Sequence, residues 1–107
     1  MEIISLENLQ KKFEVTGQSV TITKEEENFF TIDGISLYYD EYEYDFKNQR
    51  TKTVTKLTNF GWIVGYDKHI PGSYWQPDDV DFIEDSHYTS LNPAIARVCA
   101  LLIESTN

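Results

Sequence analysis

The stretch YYDEYEYDF, residues 38–46, places four carboxylates and five aromatic rings in nine residues. Upstream of its centre Ile35, Leu37 and Tyr39 are apolar at odd positions; downstream Tyr42, Tyr44 and Phe46 are apolar at even ones. Side chains of a strand alternate between two faces, so an uninterrupted strand cannot exchange its apolar side. The exchange predicts a β-bulge near Asp40-Glu41. Beyond it Glu41, Glu43 and Asp45 line one face, and the rings line the other as core.

A short return at Asn48-Gln49 predicts that Asp45 faces Lys52, Glu43 faces Val54 and Glu41 faces Lys56. Opposed charges across a strand pair contribute about 0.2–1 kcal/mol each. In that register much of the acidic ladder is neutralised within its own hairpin. On the near side, Asp33-Gly34 sits between Thr31-Ile32 and Ile35-Ser36, the chemistry of a tight type I′ hairpin. A bulge inside one longer strand is the competing reading.

Working outward, residues 18–23 alternate, with Val20 and Ile22 on one side and Ser19, Thr21 and Thr23 on the other, which predicts a strand with one solvated face. Glu25-Glu26-Glu27-Asn28 reads as a polar turn. Phe60, Trp62, Val64 and Tyr66 form another apolar face. Gly61 and Gly65 lie opposite, where strand glycines leave room for a bulky neighbour or mark a bend. Pro71-Gly72 is a turn signal. Val80 and Phe82 alternate with Asp79 and Asp81 as the last strand.

Two helices flank these strands. Residues 5–13 have Ser5 as cap, Glu7 in the first turn, Lys11 and Lys12 in the last, and Leu6, Leu9 and Phe13 on one face. Asn92-Pro93 opens the second, with Asn as cap and Pro at the first helical position. From Ala94 to Ile103 only Arg97 is polar, so this helix is expected to be buried on most sides. The fold class is α+β: a short N-terminal helix, an antiparallel meander of about five strands, and a C-terminal helix packed on the sheet.

At 107 residues the chain reads as one domain. Cys99 is the sole cysteine, which excludes an internal disulfide and fits a reducing compartment. The N-terminus lacks a signal-peptide pattern, and no apolar run approaches the ~20 residues of a membrane span. These features predict a soluble protein of the cytoplasm, with no membrane partner.

The formal charge is −9, from 9 basic and 18 acidic residues. Such a field repels phosphate, and the basic residues are scattered, so direct nucleic-acid binding is disfavoured. Residues 25–27, 40–45 and 78–85 hold 12 of the 18 carboxylates. Should these segments share a face, they form an extended negative surface edged with aromatics. Carboxylates spaced along strands can imitate phosphates, and Tyr and Trp are favoured interface anchors. Glu41, Glu43, Asp45, Asp79 and Asp81 are the candidate charges, and Tyr74 and Trp75 the candidate anchors.

Other chemistry is poorly supported. Cys99 lies in an apolar helix, so a small core residue is expected there rather than a nucleophile. Asp78, Asp79, Asp81, Glu84 and Asp85 lack the spacing, turn glycine and terminal glutamate of a calcium loop. No glycine loop for phosphate and no cofactor motif is present, so neither a cofactor nor a metal is expected. A small enzyme would require His69 or His87 in a pocket beside a carboxylate.

The segment HIPGSYWQPDDVDFIED (69–85), followed by NPAIARVCALLIES (92–105), is similar to the C-terminal part of many small phage-encoded proteins of unknown function. The shared features are Pro71-Gly72, Tyr74, Pro77-Asp78-Asp79, the alternating residues 80–83, and the helix from Pro93. Those families commonly carry a second proline where Asp78 stands. In size, acidity and α+β make-up the chain also resembles phage inhibitors of bacterial defence, including anti-CRISPR proteins and DNA mimics. That resemblance implies a non-enzymatic inhibitor, monomeric or homodimeric, of a basic host protein such as a nucleic-acid-binding defence complex. The alternative is a small virion assembly protein that self-associates through its C-terminal helix or a sheet edge.

Overall fold

The computed structural model describes residues 3–68 and 81–105. Along the chain they form α1 (Leu6–Thr16), β1 (Ile22–Glu26), β2 (Phe29–Ile32), β3 (Ile35–Lys47), β4 (Val54–Lys68), β5 (Asp81–Tyr88) and α2 (Leu91–Ser105). The strands pair as one antiparallel meander, β1-β2-β3-β4-β5. The expected α+β architecture is present. Among the described residues no helix is long and apolar enough to cross a membrane.

Helix α1 starts where its cap sits: the Ser5 hydroxyl accepts the Asn8 N–H at 3.1 Å. It runs past the expected end at Phe13 to Thr16, because the first residue able to stop it is Gly17. There φ is +80° and the N–H donates to the Glu14 carbonyl. Lys11 and Lys12 therefore stand mid-helix. Helix α2 begins at Leu91, one residue before the expected cap Asn92. Pro93 still falls in the first turn, where no intrahelical N–H bond is lost.

Both helices cover one face of the sheet. Leu9 and Phe13 of α1, and Ala94, Ile95, Val98, Leu101 and Leu102 of α2, enclose Phe30, Ile32, Ile35, Leu37, Trp62 and Val64. Cys99 is half-buried against this core, as expected of a small apolar residue. The Arg97 guanidinium ties α2 to β5 through two bonds to the Asp85 carboxylate, at 2.8 and 3.0 Å, and the Ser86 hydroxyl donates a third at 2.8 Å. The Arg97 bond chiefly, aided by Ser86, holds the Asp85 carboxyl below the usual range.

A carboxyl depressed in the folded state stabilises the fold above its unfolded pKa, and that stability is lost as pH falls through the folded value. Asp85→Asn is expected to lower the melting temperature by a few degrees at neutral pH. Below the ordinary carboxylate range the gap to wild type closes, which thermal unfolding over a pH series measures.

The strand expectations are corrected at three places. Strand β1 is shifted, running through Glu25 and Glu26, so the turn is only Glu27-Asn28. Asn28 makes that turn with φ +53° and is 2% exposed. Its side-chain oxygen accepts the Ile4 N–H, and its carbonyl the Tyr39 N–H, both at 2.9 Å. Asp33 and Gly34 both have positive φ and Ile32 pairs with Ile35, so the type I′ reading holds.

The second correction is that no bulge occurs at Asp40-Glu41. The β3–β4 register is unbroken from Ile35↔Tyr66 to Lys47↔Val54. The apolar side changes because β3 and β4 outrun their neighbours. Strand β2 stops pairing at Tyr38 and β5 at Trp62. Irregularities fall instead at Lys24/Glu26 and between Val64 and Gly65, where Asp85 is the extra residue.

Third, the turn is longer than expected. Asn48 closes it: its carboxamide oxygen accepts the Arg50 and Thr51 N–H groups, and its N–H donates to the Thr53 carbonyl. Asp45 thus faces Lys56, Glu43 faces Thr58 and Glu41 faces Phe60. The ladder is not neutralised in its hairpin: the ion pairs among the described residues are Glu7–Lys11 and Asp85–Arg97.

Candidate functional site

The Asp33-Gly34 hairpin sets which side of the sheet each residue occupies. Ile32 and Ile35 flank it and join the helix-side core. By alternation Phe29, Thr31, Ser36, Tyr38 and Asp40 stand on the face that no described helix covers. The register extends that face to Ile63, Gly65 and Asp67 of β4, and to Phe82, Glu84 and His87 of β5.

An aromatic row crosses this face. Phe29 stacks on Tyr38 at 5.2 Å between ring centroids, and Tyr38 meets Phe82 at 6.2 Å. Phe82 reaches across β4 because Gly65 has no side chain; a Cβ there would lie 2.4 Å from the Phe82 ring. Gly61 makes room likewise for Tyr42, which stacks on His87 at 3.9 Å and neighbours Tyr44. The rings Tyr42, Tyr44 and Phe46 are therefore not helix-side core. They continue the helix-free face, from buried Tyr42 to exposed Phe46.

Carboxylates surround the row. A shallow groove of about 440 Å³ is lined by Glu25, Glu26, Phe29, Thr31, Ser36, Asp67 and Phe82. The Thr31 hydroxyl donates to Glu25 at 3.1 Å. Burial first, then Glu84 and Asp40, pushes the Tyr38 phenol above its ordinary range. It remains a protonated donor at neutral pH.

Among the described residues no lysine or arginine takes a position on this face. Lys24, Lys47, Lys56 and Lys68 fall at helix-side register positions. Lys11, Lys12 and Arg97 belong to the helices, and Arg50 and Lys52 to the distal turn. Glu25, Glu26, Asp40, Asp67 and Glu84 thus form a negative surface with no cation in it.

One or two carboxylates of each acidic segment meet on this face, Glu25 and Glu26, Asp40, and Glu84, and none of them was singled out from the sequence as a candidate charge. Glu41, Glu43 and Asp45 share the opposite face of the projecting part of β3. Asp81 pairs with Lys68 at the start of β5. Tyr74, Trp75, Asp79 and His69 lie outside the described residues. The missed groups had a legible signal: once Asp33-Gly34 is taken as a two-residue turn, counting outward from it assigns Phe29, Tyr38 and Asp40 to the helix-free face.

Two other concavities carry less chemistry. One of about 480 Å³ beside Trp62 is lined by Lys12, Asn8 and the start of α2; the other, about 370 Å³, lies against Tyr66 and Leu101. His87 is exposed on the Tyr42 ring and bonds no carboxylate among the described residues. No described group of three or more His, Cys, Asp or Glu side chains is placed to hold a metal ion. No protein-family model, curated protein or solved structure matches the chain.

Proposed function

We propose that this chain is a non-enzymatic binding protein whose helix-free sheet face occupies a basic surface of a host protein, one that otherwise holds nucleic acid. The observation that carries this reading is the cation-free ring of five carboxylates around Phe29, Tyr38 and Phe82. Nucleic acid itself is repelled by such a surface, whereas a lysine- and arginine-rich one is attracted and steered to it. The aromatic row supplies apolar anchoring inside the charged rim. Glu41, Glu43 and Asp45 extend the negative surface around the projecting hairpin. The resemblance of residues 69–105 to phage-encoded proteins supports a bacterial host and a partner in a defence system, in the manner of anti-CRISPR proteins.

Proteins retained by the immobilised chain from bacterial lysate are the direct test. Nucleic-acid-binding proteins are expected, released as salt rises and displaced by duplex DNA, since exposed charges lose reach beyond ~10 Å at 0.1 M salt. Partners that stay bound at high salt and ignore DNA would overturn the reading.

A further inference from the structure

Past Asp40 and Gly61, strands β3 and β4 pair, among the described residues, only with each other and project from the sheet. The radius of gyration is 16.0 Å, against about 13 Å for a compact chain of this length. A free two-stranded ribbon is marginal in water, yet this one leaves Phe46, Val54 and Phe60 each more than half exposed.

Its side chains are sorted. The side continuous with the helix-free face carries Tyr42, Tyr44, Phe46, Thr55, Leu57 and Asn59, none charged. At the far end the turn holds Arg50 and Lys52, whereas Lys47 and Lys56 stand on the opposite side of the ribbon. Read outward along β3, the helix-free face is acidic over the sheet and uncharged along the ribbon, and it ends at a turn that carries Arg50 and Lys52.

We infer that this face is complementary to itself, and that two copies pair by laying their ribbons antiparallel across each other's helix-free face. A two-fold axis between the ribbons, perpendicular to the strands near Tyr44, meets the spacing. Asp40 lies four residues before Tyr44, roughly 13 Å along a strand, and the turn that carries Arg50 and Lys52 begins at Asn48, four residues after it. The tip of one copy then reaches the carboxylates of the other, and Phe46 and Leu57 are covered. The contact is isologous and closes at two. It covers the face assigned to the host partner, so the dimer and that complex exclude each other. The inference itself rests on the ribbon and not on the partner.

Sedimentation velocity over a range of concentration and salt tests it. A reversible monomer–dimer equilibrium is expected, weakened by salt. Arg50→Glu with Lys52→Gln, in an exposed turn held by Asn48, is expected to weaken it at least tenfold, as is Glu26→Lys with Asp40→Lys, the carboxylates at the level the turn reaches. The four changes together are expected to cost little more than either pair, because both pairs remove the same contact. A monomer at every concentration, open-ended growth, or a dimer indifferent to either pair would overturn the inference, and so would losses that simply multiply. Arg50→Glu with Lys52→Gln leaves the groove carboxylates intact, so host-partner binding that survives these changes separates the two readings.

Discussion

Gly61→Ala is expected to destabilise the fold by about 3 kcal/mol, at the upper end of what overpacking usually costs. A Cβ at Gly61 would lie 2.3 Å from the Tyr88 carbonyl oxygen and 2.9 Å from Cε1 of Tyr42. The first of these is backbone at the end of β5 and cannot rotate away. Relief requires β5 to part from β4 where Trp62 pairs with Tyr88, which loosens the stack of Tyr42 on His87. Gly65→Ala is expected to cost less: its closest neighbour is the Phe82 ring, which is partly exposed and can swing aside, although the Ile83 carbonyl at 2.7 Å remains. Gly34→Ala meets no atom within 4 Å and pays only for φ +91°, about 1 kcal/mol. Urea unfolding ranks the three, and a Gly61→Ala protein as stable as Gly34→Ala would show that the chain does not cross over Gly61.

Asp67→Lys with Glu84→Lys is expected to weaken binding to a basic partner at least a hundredfold and, at low salt, to raise the melting temperature. The two effects have opposite signs for one reason. Five carboxylates held together without a cation repel each other in the free protein, and that repulsion is relieved when two become ammonium groups. The same exchange turns attraction for a positive surface into repulsion. Solvating charge scattered over an ordinary surface would leave both quantities nearly unchanged. Salt provides the internal control: sodium chloride is expected to raise the wild-type melting temperature and to narrow the gap between the two proteins. Thermal melts and binding isotherms at two ionic strengths read both effects.

Local rules were sufficient wherever one residue type dictates the backbone. Ser5 capped α1 as its hydroxyl requires, Asp33-Gly34 made its hairpin, and Gly61 and Gly65 admitted the large rings their positions invited. The reading failed where the cause lay in another part of the chain. A change of apolar side at Tyr42 looks, in one strand, like a bulge; it arises because β2 and β5 stop while β3 and β4 continue. The β3–β4 register depended on a turn in which Lys52 adopts φ +60°, a conformation its side chain does not advertise. The helix-free face joins acids from β1, β3, β4 and β5, and Asp85 leaves the acidic cluster to meet Arg97 twelve residues later. No one-dimensional count of carboxylates separates Glu84, which stands on the helix-free face, from its neighbour, which pairs with Arg97.

Side-chain and amide NMR of the protein titrated with a short oligo-arginine peptide interrogates the face directly. Shifts are expected at Phe29, Tyr38, Asp67, Phe82 and Glu84, fading as salt is added and absent in the doubly lysine-substituted protein. Shifts centred on the helices, or spread evenly over every exposed carboxylate, would mean that the helix-free side of the sheet is no binding surface.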